Sequence, residues 1–140
     1  MDPLRRKRYD IYKELENLAT EMNYSVDSII VEGSHDKKTL RALGYKKAIL
    51  VLSKTSLIDL ADFASTRFTK MVVLTDFDAE GALQARKLTR LLANRTIQVK
   101  EFYRRRFRKL LQMSKLATIE SIYSLKLVLF KHKQYKTRLC

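Results

Sequence analysis

Cysteine is almost missing from this chain: the one thiol is Cys140. Neither a disulfide framework nor a cysteine-based zinc site can be built from it, and a reducing, cytoplasmic setting is expected. Proline occurs once and glycine three times, which argues against fibrous or disordered polypeptides and for packed helices and strands. No apolar run approaches the roughly 20 residues that a bilayer crossing needs. The opening MDPLRRKRYD carries basic residues with no apolar stretch behind it, so neither secretion nor a membrane is expected. Acid is scarce in one part only. Residues 1–85 hold 13 Lys+Arg and 13 Asp+Glu, whereas residues 86–140 hold 16 and 2, so the whole net charge of +14 lies in the last two fifths.

A field that one-sided concentrates polyanions, because each phosphate neutralised by Lys or Arg releases condensed counterions. Nucleic acid, RNA or DNA, is therefore the expected partner. With 140 residues and 46% hydrophobic content, the chain can bury a core of its own, and one domain over residues 1–140 is expected.

Hydrophobic periodicity places the elements. Asp2 and Pro3 read as the cap and first position of a helix over 3–23, with Ile11, Leu15, Leu18 and Met22 on one face. SIIVE (28–32), AILVL (48–52) and MVVLT (71–75) are short β-branched runs of the kind that form strands covered on both faces. Between them, Asp36 is expected to cap a helix ended by Gly44, and Ser56 another with Leu57, Leu60, Ala61 and Ala64. Residues 79–94 read as a helix carrying Leu83, Leu88, Leu91 and Leu92, and 97–99 as a fourth strand. EFYRRRFRKLLQ reads as a basic amphipathic helix, and 118–130 as an apolar helix or strand. Strands alternating with helices predict an α/β fold, a mostly parallel four-stranded sheet flanked by helices.

In such a sheet all carboxyl ends lie along one edge, where ligands bind. Glu32 closes the first strand, and Asp76 and Asp78 follow the third. Three carboxylates gathered there crowd negative charge that a hard cation relieves. Mg²⁺ suits them, since it takes one or two carboxylates with waters and substrate phosphate. Asp78 is also placed to cap the helix beginning at Ala79, and Asp36 reads as a cap rather than a ligand.

IIVEGSHD and VVLTDFDAEG resemble the two signature segments of the Toprim domain, which topoisomerases, bacterial-type primases, some repair proteins and the nuclease that matures 5S ribosomal RNA share. The resemblance implies a Toprim-like, Rossmann-like core over about 26–100, with an N-terminal helix over 3–23 and a basic C-terminal helical extension over 101–140. It implies that Glu32 is a metal ligand or general acid/base, that Asp76 and Asp78 hold Mg²⁺ (Mn²⁺ as a substitute), and that Glu80 stands where several topoisomerases carry a third acid. Gly81 falls on the glycine that ends the motif, and Asp36 matches an aspartate common in small Toprim proteins. With no room for a strand-passage domain or a primase zinc module, the layout is most similar to stand-alone members such as the 5S RNA maturation nuclease. A dehalogenase-like phosphatase or a phospho-receiver would place its paired acids after the first strand; here the pair follows the third.

The basic half supplies a candidate interface. Arg104, Arg105, Arg106, Arg108 and Lys109 are expected to contact phosphate, while Phe102, Phe107 and Leu110 pack on the core. Arg86, Lys87 and Arg90 extend that surface from the helix after the acidic turn, and Lys54 is placed to neutralise a phosphate at the end of the second strand. His35 reads as a plain polar loop residue. The sequence supports a metal-dependent nuclease, with a non-catalytic nucleic-acid-binding or assembly module as the alternative.

Overall fold

The computed structural model describes residues 3–114. The cap expected of Asp2, the apolar stretch 118–130, His132 and Cys140 lie outside the described residues. Helix α1 (Pro3–Ser25) leads into strand β1 (Ser28–Val31), helix α2 (Ser34–Leu43) and strand β2 (Ala48–Val51). A single 3₁₀ turn (Leu52–Lys54) precedes helix α3 (Leu57–Ser65), strand β3 (Lys70–Leu74), helix α4 (Ala79–Asn94), strand β4 (Gln98–Val99) and helix α5 (Glu101–Met113). The four strands form one all-parallel sheet in the order β2-β1-β3-β4. This is the expected α/β architecture.

Period-two alternation sorts the strand residues between two cores. Ile29, Val31, Val72 and Leu74 face a layer made by α1, α2 and α5, among them Leu15, Met22, Leu40 and Phe107. Ile30, Met71 and Val73 face the opposite way, against Leu60, Ala64, Leu88 and Leu92 of α3 and α4. Because helices cover both faces, β1 and β3 bury apolar side chains on each side, which is why they read as continuous runs.

Local signals place most element ends. The Ser56 hydroxyl accepts from the Asp59 N–H at 3.1 Å and starts α3, and Gly44 ends α2 with a left-handed φ of 109°. Four details depart from the sequence reading. Helix α2 opens at Ser34, so Asp36 sits in its first turn and reaches back, its Oδ2 accepting from the Gly33 N–H at 3.0 Å. Leu52 leaves the sheet for the 3₁₀ turn. Leu83 is exposed, because the buried face of α4 runs through Gly81, Ala85, Leu88 and Leu92. Phe102 is exposed too; Tyr103, four residues before Phe107, shares its buried face instead.

At the opposite end of the sheet, Asp27 ties β1 to β3. Its Oδ2 accepts from the Thr69 N–H and hydroxyl at 2.9 Å each and from the Lys70 N–H at 3.0 Å. The backbone donors hold its pKa below the ordinary aspartate value. A depressed folded-state pKa contributes stability that is fully present above the unfolded value, about 3.9, and is lost as pH falls through the folded one. Urea unfolding across acid pH is expected to show that loss in the wild type and a flatter profile in Asp27→Asn.

Candidate metal centre and nucleic-acid interface

The sheet order creates the site. From β1 the chain goes to β2 on one side and then to β3 on the other, so a crevice opens between the carboxyl ends of β1 and β3. Val31 is paired with Leu74, so Glu32 leaves β1 beside Thr75 and Asp76. Its Oε1 accepts from the Asp76 N–H at 3.2 Å, across 44 residues of sequence. The Glu32 carbonyl accepts from the Ser53 N–H at 2.9 Å, which draws the 3₁₀ turn and the exposed Lys54 to the same rim.

The turn after β3 is held from both sides. The buried Thr75 donates its hydroxyl to the Gly81 carbonyl at 2.6 Å, and Asp78 Oδ1 accepts from the Gly81 N–H at 2.7 Å, making Asp78 the N-cap of α4. Gly81 is the residue this wrap requires. A Cβ there would lie 2.5 Å from the Asp76 carbonyl carbon and 2.9 Å from its Cα, and closer still to the carbonyl oxygen. Glu80 stands exposed in the first turn of α4.

Glu32 and Asp76 are thus brought together and Asp78 is fixed two residues further along the turn. One oxygen of Glu32 and one of Asp78 each take a main-chain N–H. Among the described residues the other oxygen of each has no hydrogen-bond partner, and no group of three or more His, Cys, Asp or Glu side chains forms a ready-made metal cage. An open set of carboxylate oxygens fits a hard ion such as Mg²⁺, which keeps several waters and does not require an all-protein cage.

Arg104 does something the sequence reading did not assign. Strand β4 pairs only with Lys70 and Met71, and the Lys100 N–H closes that ladder on the Met71 carbonyl at 2.8 Å. Beyond it, the edge carbonyls of β3 have no strand to meet. The Arg104 guanidinium takes over: Nη1 donates to the Thr75 carbonyl at 2.7 Å, with a longer approach to Val73 at 3.4 Å, and Nη2 donates to the Asp76 carbonyl at 3.0 Å. It also stacks 4.7 Å from the Phe77 ring centroid. Burial lowers its pKa, as does Arg108 beside it, while Glu32 and Asp76 oppose the shift. Arg104 therefore faces inward, bracing the acidic turn.

Six of the other expected phosphate contacts divide among three surfaces. Arg86 and Arg108 line one cleft together with Arg104. Lys87 and Arg90 border a separate groove against Leu57 and Ile58 of α3. Arg106 and Lys109 face α1, where Arg106 approaches Glu14 at 3.8 Å. Arg105 and the exposed His35 line none of these three surfaces. A signal for Arg104 existed in the sequence: it lies three residues before Phe107 and seven before Leu111, on their buried face. Among the described residues no helix is long and apolar enough to cross a membrane.

A family model for the Toprim domain matches residues 27–103. A UPF0292 protein of Thermococcus sibiricus is 35% identical over 114 residues, covering 81% of this chain and 89% of the relative. One from Thermococcus onnurineus is 34% identical over 114 residues, covering 81% and 84%. Among solved structures, a protein from Aquifex aeolicus superposes with a TM-score of 0.63 at 26% identity, covering 77% of this chain and 94% of its own.

Proposed function

The chain belongs to the Toprim domain family, and from that premise we propose that it is a Mg²⁺-dependent nuclease that hydrolyses phosphodiester bonds in structured RNA or DNA. Toprim domains in general bind Mg²⁺ and serve nucleic-acid processing. The observation that carries the finer reading is the contact between Glu32 Oε1 and the Asp76 N–H. It joins two acid-bearing strand ends at the switch point of the sheet, with Arg104 of the basic helix α5 beside them.

Asp76 and Asp78 would hold the ion, with Glu32 beside them and Glu80 within the same turn region. Held there, Mg²⁺ or Mn²⁺ would supply Lewis acidity toward the scissile phosphate and would stabilise charge on the leaving oxygen. The Asp76 N–H holds Glu32 Oε1, which leaves Oε2 as the atom that takes up or delivers a proton. Thr75 and Gly81 keep the turn from opening. Lys54 at the rim, together with Arg86 and Arg108 of the cleft beside Arg104, binds backbone phosphates and orients the strand.

A second reading, a non-catalytic binding or assembly module, draws on Asp78: its N-cap bond is a structural role that stands without chemistry. Cleavage of labelled RNA and DNA with Mg²⁺ or Mn²⁺ separates the two. Glu32→Gln and Asp76→Asn are expected to cut at least about 10²-fold more slowly than wild type. Equal rates in all three would eliminate the nuclease, and salt-dependent binding with no turnover would favour the module.

A further inference from the structure

Between α4 and α5, at the edge of β3 left bare by the two-residue β4, lies a cleft of about 180 Å³. Its polar lining is Arg86 and Thr89 from α4 and Glu101, Arg104 and Arg108 from α5. Three guanidinium groups against one carboxylate leave it strongly positive. Arg104 forms the inner wall and is occupied by the β3 carbonyls. Among the described residues, Arg86 and Arg108 take part in none of the ion pairs.

Size selects the ligand. Pockets for drug-sized molecules run roughly 300–1,000 Å³, so this cleft is too small for a nucleoside and suited to one tetrahedral oxyanion. Sign and donor geometry select it further, because planar guanidinium forks match phosphate oxygens bidentately. An anion here would also relieve the repulsion between Arg104 and Arg108.

We propose that this cleft is a phosphate subsite, which binds one phosphate group of the nucleic-acid substrate other than the one cut, through Arg86 and Arg108 with Thr89 as a further donor. The proposal rests on the nucleic-acid reading above. Through Arg104, which donates to the Thr75 and Asp76 carbonyls, a phosphate bound here sits next to the brace of the acidic turn. It thereby sets the register of the strand relative to Asp76.

The test uses the full chain with chelator present, so that the acidic site makes no metal-dependent contribution. Inorganic phosphate is titrated while amide resonances are followed, for wild type and for Arg86→Gln with Arg108→Gln. Both positions are exposed, so the double variant is expected to melt with the wild type. Saturable shifts at residues around Arg86 and Arg108, weakened about tenfold in the double variant, are the expected result. Binding of 5′-phosphorylated and 5′-hydroxyl single strands then separates the sources. A preference for the phosphorylated end that the variant loses marks a terminal phosphate. No preference, with a tenfold loss and a salt slope shallower by about 0.7, marks an internal one.

Wild-type affinity in the double variant for both phosphate and strand overturns the subsite, while Asp76-dependent cleavage by the wild type would still uphold the nuclease. Phosphate saturating the cleft of a protein that neither binds nor cuts nucleic acid supports an anion site and overturns the nucleic-acid reading.

Discussion

Gly81→Ala is expected to cost about 3 kcal/mol of stability and, in whatever folds, to slow cleavage by about 10²-fold or more. The added methyl would lie 2.5 Å from the carbonyl carbon of Asp76, and its neighbour is main chain, not the flexible end of a side chain. Overpacking of this kind costs typically 1–3 kcal/mol and sometimes more. The turn can admit the methyl only by moving Asp76 outward by roughly an ångström, a displacement that by itself costs about 10²-fold in rate. Moving Asp76 also breaks its N–H contact to Glu32 and loosens the Asp78 cap on α4. Urea unfolding and single-turnover cleavage measure the two effects. A variant as stable and as active as wild type would mean that the turn is not held as tightly as its hydrogen bonds indicate.

Arg104→Met carries the second large effect, and mainly in stability. Methionine keeps much of the aliphatic stem and removes the guanidinium, which leaves the carbonyls of Thr75 and Asp76, and in part Val73, without their donor. An unsatisfied buried acceptor costs about 1–3 kcal/mol; with some water reaching this edge, a total of about 3 kcal/mol is expected. Arg104→Lys should recover less than half of that, because one ammonium cannot reproduce a planar fork that serves two carbonyls at once. If chemical denaturation finds Arg104→Met within about 0.5 kcal/mol of wild type, the guanidinium is an ordinary surface cation and not a substitute for missing strand.

How much of this was legible in the sequence follows from where each feature is encoded. Buried strands and capped helices are local, so Ser56, Gly44 and the run 79–94 announced their elements directly. The meeting of Glu32 with Asp76 was legible at one remove, since alternation of strand and helix implies a parallel sheet whose carboxyl ends align. Asp78 was open to two roles by its position before a helix, and the cap is the one its Oδ1 fills.

Arg104 read as one of the phosphate-gripping cations, and its bracing of the Thr75 and Asp76 carbonyls was not legible because that role is a tertiary consequence of strand length. Only a β4 of two residues leaves the Val73 and Thr75 carbonyls bare, and nothing in EFYRRRFRK records how short the preceding strand is. The cations likewise read as one surface along the helices, whereas packing against α1, α3 and α4 turns them toward three different places. The cap expected at Asp36 falls three residues earlier, at Gly33, for a related reason: the chain turns from β1 into α2 through Glu32 and Gly33 alone, so the helix opens before the aspartate is reached.

The proposed cation at the β1–β3 rim is held by Asp76 and Asp78, with Glu32 beside them. Titrating Mn²⁺ into the protein and following the free-ion paramagnetic resonance signal tests it without depending on turnover or on the substrate. Saturable uptake by the wild type is expected, displaced by Mg²⁺ and weakened at least tenfold in Asp76→Asn and in Glu32→Gln. Uptake of equal strength in the wild type and in both variants would contradict it.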